Sequence, residues 1–478
     1  MPPESDLTFL STTELTRLMQ RRELSPVELL DSCLERIETL DSRLNGFVLV
    51  RGEQARAEAR VSEHRLLRGE AGPLEGIPVP IKDNVALAGA PLGFASRMAP
   101  PFDMPVDAEL VRRLREAGAV VPGKTNLPEF GTIPTTEGDV HGACHNPWDL
   151  TRTPGGSSGG AAVAVAAGMA PVAHGNDGGG SLRIPAACCG LFSLKPSRGR
   201  VPHGPLDTET IGGLSSDGFI SRSVRDNARL LDVVAGGLIG DPFPAPPPRR
   251  SFESAAQSEP GRLRIAWTVD APIHVTIHAA HAAAVREAAE LCASLGHDVE
   301  EATPDWRDDS LATLFTRLWA TLIGSGIELL AELGGDPDTV EPHNRALHQL
   351  GAGLSANQLG VAATKLQHYA RRVCAFWGRF DVLLTPTLAE PPLELGALFE
   401  RSAADPLYPI DRAGQWIPCT PVVNVTGQPA ANLPLSWHQG LPVGVQAIGR
   451  LYEEATLYQL AAQLEASRPW AERRPPFT

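Results

Sequence analysis

Cysteine is scarce in this chain of 478 residues: seven thiols, scattered, with no C-x-x-C pair. That pattern supports neither a zinc ribbon nor a disulfide framework. Cys188 and Cys189 are adjacent but sit in apolar sequence and read as packing residues. Basic runs are missing as well. No Lys/Arg tract exceeds a pair and the formal net charge is −14, so a nucleic-acid partner would lack the positive face that phosphate contacts need. No run approaches eighteen apolar residues, and the opening MPPESDLTFLS has neither a basic nor an apolar signal region. The expectation is a cytoplasmic chain with no membrane partner. The helical stretch 310–380 carries His343, His348 and His368, read as lying on its polar side. None has H-E-x-x-H spacing, so no metal is expected.

What is present describes a globular α/β protein. Apolar residues make up 42% and charged residues 21%, which excludes a disordered chain. Ser11-Thr12-Thr13-Glu14 and Ser25-Pro26-Val27-Glu28 are capping boxes opening two helices, the second running to about Leu40. Phe47–Val50 reads as a strand and Gln54–Leu67 as a polar helix. Asp107 is read as the cap of a helix to about Ala117, with a strand at Ala119–Val121. Further strands are read at 170–173, 263–267, 299 onwards, 381–387, 421–435 and 441–448. Helices are read at 159–168, 277–295 and 453–468. Alternating strands and helices imply a layered sheet. The clearest linker is the Pro-rich stretch of about 236–260.

Two features invite chemistry. Ile77–Asn84 is an apolar strand run closed by Lys82, and a desolvated lysine shifts toward the neutral, basic amine. Residues 153–201 hold two glycine-walled serine clusters, Gly155–Gly160 and Gly178–Ser181. Dense glycine lets backbone N–H groups approach a ligand, and serines within such loops put a nucleophile beside oxyanion donors. A third pattern is deceptive. Gly118–Thr125 satisfies G-x-x-x-x-G-K-[ST], but a P-loop needs its strand before the first glycine and a helix after the Lys-Thr. Here the apolar run lies inside the loop and Pro128 follows closely, so nucleotide binding is rejected.

Taken together and in order, the motifs resemble the amidase signature family. They are Gly76–Asp83, Gly123–Phe130, Asn146–Asp149, Pro154–Gly160, Gly175–Pro185, Lys195–Pro202, Asn424–Ala430 and Gly440–Gln446. The resemblance implies an amidase signature fold: one large domain over 1–478, with a central mixed β-sheet covered by helices on both faces. Its signature core would span about 70–235, with a helical pocket portion at about 305–380. It also implies a serine amidohydrolase using a Ser-cisSer-Lys triad and no cofactor. By the family's pattern Ser181 is the nucleophile, Ser157 the relay after a cis Gly156–Ser157 peptide, and Lys82 the base. The N–H groups of Gly178, Gly179 and Gly180 would face the oxyanion.

Gly178 stands where the family often has a bulkier residue, which together with Gly131 suggests a roomy acyl pocket and resembles the branch with cyclic-oligoamide hydrolases. Residues 310–330 and 405–420, including Trp319, Trp416 and Cys419, are expected to form its outer wall. The implied partner is a small amide or carbamate, and homodimers are common in such a family. Two alternatives stay open: a Ser-His-Asp α/β-hydrolase, because Gly155-x-Ser157-x-Gly159 fits G-x-S-x-G, and a glutamine-amidase subunit of a tRNA-dependent amidotransferase. Intact Lys82, Ser157 and Ser181 speak against a catalytically silent binding protein.

Overall fold

A computed structural model of the chain describes residues 7–100 and 102–478; most of the opening MPPESDLTFLS lies outside them. The first helices start where their caps predict. Ser11 accepts from the Glu14 amide to open α1 (Thr12–Gln20), and a reciprocal Ser25/Glu28 box opens α2 (Pro26–Leu44). A small sheet follows, in the order β1 (Phe47–Val50), β3 (Gly123–Thr125), β2 (Ile81–Lys82). Helices α3 (Gly52–Arg68) and α4 (Glu109–Glu116) fall between these strands in sequence. The β2 run is only two residues long because Pro78 and Pro80 have no N–H for a ladder; Pro78 makes just an isolated bridge to Val120.

Two readings are corrected here. Asp107 does not cap α4, whose N-cap is Ala108 with no side-chain bond; instead it accepts from the Ala88 amide and pairs with Arg115. The strand near Val120 is displaced onto Gly123-Lys124-Thr125. The supposed phosphate loop is therefore extended backbone, and Lys124 is buried against Asp83 at 2.9 Å.

The main body is an eight-stranded mixed sheet. After the hairpin β4–β5 (Glu137–Gly138, Gly142–Ala143) come α5 (Gly159–Ala166), β6 (Val172–Asp177), α6 (Arg183–Cys189), β7 (Phe192–Lys195), β8 (Ser216–Ser221) and α7 (Val224–Val234). The Pro-rich stretch holds only the short α8 (Phe252–Ala255), but Phe252 is buried, so this stretch packs onto the body rather than dangling from it. Then follow β9 (Arg264–Trp267), α9 (Ala279–Ser294), β10 (Asp298–Glu301), α10 (Leu311–Glu332), α11 (Pro342–Ala352), α12 (Ala356–Cys374) and β11 (Val382–Pro386). The chain ends with α13 (Tyr408–Trp416), α14 (Thr420–Thr426), β12 (Ala430–His438), β13 (Leu441–Gly449) and α15 (Glu454–Ser467).

The stretch read as one strand at 421–435 is thus a helix followed by a strand. Pro421 in the first turn of α14 and Gly427 in the left-handed region just past its end give the punctuation of a helix. His343 is likewise not on a polar side: it is buried in α11.

Strand order is β10-β9-β11-β13-β12-β7-β8-β6. The β10, β9 and β11 neighbours are parallel and the remainder antiparallel. Successive side chains point to opposite faces, and both faces are covered. On β9, Ile265 joins one core and Ala266 another; on β11, Val382 and Leu384 face away from Leu383. The first face is covered by α7, α9 and α15, the second by α10 and α12 at one end and α5 and α6 at the other. Helix α5 is buried all round, which its Gly/Ala/Val composition permits. α10 is long and apolar enough, by length and composition alone, to cross a membrane, and one third of that window is buried.

At Gly160, the second residue of α5, a Cβ would overlap the Gly46 carbonyl oxygen and the Asn126 backbone. Both neighbours are held in place by the hydrogen bond from Asn126 N to Gly46 O at 2.9 Å. Gly160→Ala is therefore expected to destabilise the fold by about 1–3 kcal/mol, as overpacked sites do, seen as a lowered denaturation midpoint with an unchanged slope.

Candidate active site

The sheet edge and the small sheet meet at Lys82. Its strand lies beside β6, held by the His174 amide donating to Pro80 O at 3.0 Å. The Lys82 amine is fully buried, 2.7 Å from Ser157 Oγ, and donates to Asn176 Oδ1 at 2.7 Å. Asn176 is oriented by its amide NH2, which donates to Asn84 Oδ1 at 3.0 Å. Burial pulls the Lys82 amine down to about 7, against the opposing pull of Asp217 and Asp177.

Ser157 follows a cis Gly156–Ser157 peptide. It leaves an irregular segment, not a strand, so the strand-to-serine elbow of an α/β-hydrolase is not formed. Gly131 closes on it from the other side: a Cβ there would stand 3.0 Å from Ser157 Oγ, and its φ is +71°. The absent side chain at 131 thus makes room for the hydroxyl itself.

Ser181 sits on the turn between β6 and α6, at the floor of the cavity described below. Asp177 organises that turn. Its carboxylate accepts from Gly180 N at 2.8 Å and Leu182 N at 3.2 Å, and is gripped by Arg183 at 2.7 and 2.9 Å. Burial pushes this carboxyl up, but Arg183 overrides it and holds it at about 2. Arg183 reaches on to Thr420 O, Gln446 and Asn424.

This corrects one oxyanion assignment. The Gly180 N–H is spent on Asp177 and cannot serve an oxyanion, whereas among the described residues no acceptor takes the N–H of Gly178, Gly179 or Ser181. Ser158 N donates to Ser181 O at 3.3 Å, tying the two serine loops together; the two catalytic-candidate hydroxyls share no direct hydrogen bond among the described residues.

Comparison with known proteins fits this arrangement. The Amidase family model matches residues 28–458. The chain belongs to the amidase family. It is 43% identical over 474 residues to a putative amidase, AmiB2, of Mycobacterium tuberculosis, covering 98% of this chain and 99% of the relative. A 6-aminohexanoate-cyclic-dimer hydrolase of Paenarthrobacter ureafaciens is 36% identical over 479 residues, covering 97% and 96%. A solved structure of 6-aminohexanoate cyclic dimer hydrolase complexed with substrate superposes with a TM-score of 0.93 at 35% identity, covering 98% and 99%. A bacterial aryl acylamidase structure gives 0.88 at 27% identity, covering 97% of each chain. The chain is accordingly an amidase, a hydrolase acting on carbon–nitrogen bonds other than peptide bonds.

The amidase opens to solvent through a cavity of about 410 Å³ above Ser181. One wall is the 131–134 loop, another α10 with Phe315 and Trp319, and a third the 410–418 segment with α14. Trp319 and Gly131 therefore line the cavity, but Trp416 and Cys419 do not. Trp416 is wholly buried beneath it, its indole N–H donating to Glu390 O, and Cys419 is buried with its thiol pushed up to about 12. Both lie in the right segment but point into the core, Trp416 into the buried cluster that includes α5 and α6 and Cys419 into the one that includes α10 and α12.

Gly178 also differs from its reading as a pocket-widening residue. A Cβ there would stand 3.1 Å from the Trp319 ring, which is itself stacked on Phe315. The tryptophan fills the space that a side chain at 178 would take. The residues that sequence reasoning passed over, Asn176, Asp177, Thr420, Asn424 and Gln446, were within or beside the matched motifs, but their polar type alone did not tell positioning from solvation. Among the described residues, no cluster of three or more His, Cys, Asp or Glu side chains could hold a metal ion.

Gly178→Leu is expected to push Trp319 into the cavity and raise KM for a bulky acyl group by about tenfold or more. Combining it with Trp319→Ala should recover most of that loss, a coupling readable as a double-mutant cycle on kcat/KM.

Proposed function

We propose that this amidase cleaves neutral amides through an acyl-enzyme, with Ser181 as nucleophile, Ser157 as relay and Lys82 as base. The observation that carries the reading is the 2.7 Å approach of a fully buried amine to Ser157 Oγ. A neutral lysine has one lone pair. With one N–H committed to Asn176 Oδ1, that lone pair is free to accept the Ser157 proton. Ser157 in turn takes the proton of Ser181 as the Ser181 oxygen bonds to the acyl carbon. Hydroxyls that are not bonded in the free enzyme come together when substrate is bound.

As the carbonyl π pair moves onto oxygen, the free N–H groups of Gly178, Gly179 and Ser181 supply the oxyanion donors; removing one such donor typically costs about 3 kcal/mol. The relay then runs backwards. The proton on Lys82 returns through Ser157 to the leaving nitrogen, which departs as a neutral amine instead of an amide anion. Water repeats the sequence on the Ser181 ester and releases the acid.

The cavity supports a neutral, apolar acyl group. Ile133, Ile184, Phe315, Trp319 and Val422 line it and no Lys or Arg does. A small carboxylate would find no Lys or Arg counter-charge in that lining, whose titratable members are His274 and Asp411. Cyclic and linear oligoamides fit this character, and the relatives named for a cyclic amide dimer favour them; a carbamate presents the same acyl carbon and is the second substrate class to assay.

A panel of amides, esters and carbamates tests the reading. Ser181→Ala should abolish both turnover and the acyl-enzyme mass adduct. Lys82→Ala should lower kcat/KM by about three orders of magnitude or more, while an enzyme running on a Ser-His-Asp triad would be untouched by it. Protonation removes the lone pair that accepts from Ser157, so kcat/KM should fall as pH drops through about 7 and stay level above it.

A further inference from the structure

We propose that Asp217, clamped between His174 and His203, is the positioning residue that sets the charge of the Lys82 base, and that His203 is its pH-responsive counter-ion. This rests on Lys82 being the general base.

The geometry is a chain running outward from Lys82. The Lys82 backbone N–H points at His174 Nδ1, 3.4 Å away. A ring nitrogen that accepts carries no proton, so the His174 proton is on Nε2, which faces Asp217 Oδ1 at 3.1 Å. The other Asp217 oxygen lies 3.1 Å from His203 Nδ1. His174 and Asp217 are buried, while the His203 side chain keeps 14% of its surface exposed and so is the member of the chain that meets solvent.

The anions around Lys82 are not equivalent. Asp177 is neutralised by Arg183, with Lys195 behind it, and Asp83 by Lys124 at 2.9 Å. Arginine does not titrate in the working range, so the Asp177 pairing is permanent, and Asp83 meets its lysine in a closed, buried contact. Asn176 and Ser157, which touch the amine, are uncharged. Asp217 alone in this set is paired with histidine.

Burial pushes its carboxyl up, but the two imidazoles override this and keep it ionised far below the usual range. Burial disfavours a charged His203, yet Asp217 at hydrogen-bond distance and Asp207 nearby outweigh it and raise its proton affinity. The cluster therefore carries one negative charge when His203 is neutral and none when it is protonated.

The consequence has a definite sign. Asp217 stands opposite Asn176, the residue that accepts from the Lys82 amine, on the paired strand; a net negative charge there holds the ammonium proton and a cancelled one does not. As pH falls, His203 takes up a proton and removes the charge that would otherwise have drawn a proton onto Lys82. The base thus stays neutral to lower pH than a bare Asp217 would allow.

The test compares kcat/KM against pH for the parent enzyme, Asp217→Asn and His203→Gln on one amide substrate. Asp217→Asn removes the anion and should move the acid limb down by about half to one pH unit; His203→Gln leaves the anion uncompensated and should move it up by a similar amount. A cluster that merely braces the fold would lower activity in both variants with the limb unmoved, and coincident limbs or shifts of the same sign overturn the proposal. Thermal melts accompany the profiles, and if Asp217→Asn does not fold, the direction of the His203→Gln shift decides alone. Should Lys82→Ala retain turnover, the reading of the base fails; should Lys82→Ala be inactive while both profiles coincide with the parent, only this inference fails.

Discussion

The carboxylate of Asp177 joins parts of the chain that are far apart in sequence. It ends β6, accepts two amides of the serine turn, holds the Arg183 guanidinium at the start of α6, and receives the Asn424 amide from α14. Arg183 extends the connection to Gln446 on β13. A fully buried ion pair usually costs more in desolvation than its Coulomb attraction returns, unless its remaining donors and acceptors are satisfied. Here they are, and the return is geometric: the turn bearing Ser181 is fixed to the sheet, to α6 and to the helix closing the cavity at once. Gly180 gives up its N–H to this arrangement, while the amides of Gly178, Gly179 and Ser181 have no acceptor among the described residues.

Burial of charge is also the theme at the base, with different outcomes. Lys124 meets a carboxylate directly at 2.9 Å, whereas Lys82 and Lys195 have only neutral acceptors within hydrogen-bond reach. Desolvation without a touching counter-ion is what turns an ammonium into an amine, and both of these lysines are drawn down to about 7. Burial draws Lys124 down as well, but there the adjacent Asp83 carboxylate opposes it directly.

Much of this was legible in residue order. Capping boxes located α1 and α2, small-residue composition gave α5 as buried, and the spread motifs pointed to the family and so to the architecture. Other parts were not legible for physical reasons. Asp107 looks like a cap because Asp favours that role, but Arg115 and the Ala88 amide compete for it. Residues 421–435 mix Val, Ala and Leu with Asn424, Thr426, Gln428 and Asn432 at no single period, so periodicity could not separate the helical half from the extended half. At the site, a segment could be placed on the cavity wall but not the facing of each side chain, so Trp319 lines it while Trp416, equally aromatic, supports it from below. The committed N–H of Gly180 could not be read at all, since it depends on where Asp177 points.

The burial of Lys82, Lys124 and Lys195 has a bearing on how the molecule can be handled. The chain has four lysines, and only Lys365, on α12, is exposed. Surface positive charge is carried by arginine, which does not react with acylating reagents at neutral pH. An amine-directed linker therefore meets one reactive lysine side chain, on a helix that contributes no residue to the cavity wall. Coupling to a solid support through that side chain would leave the cavity mouth and the buried base unmodified.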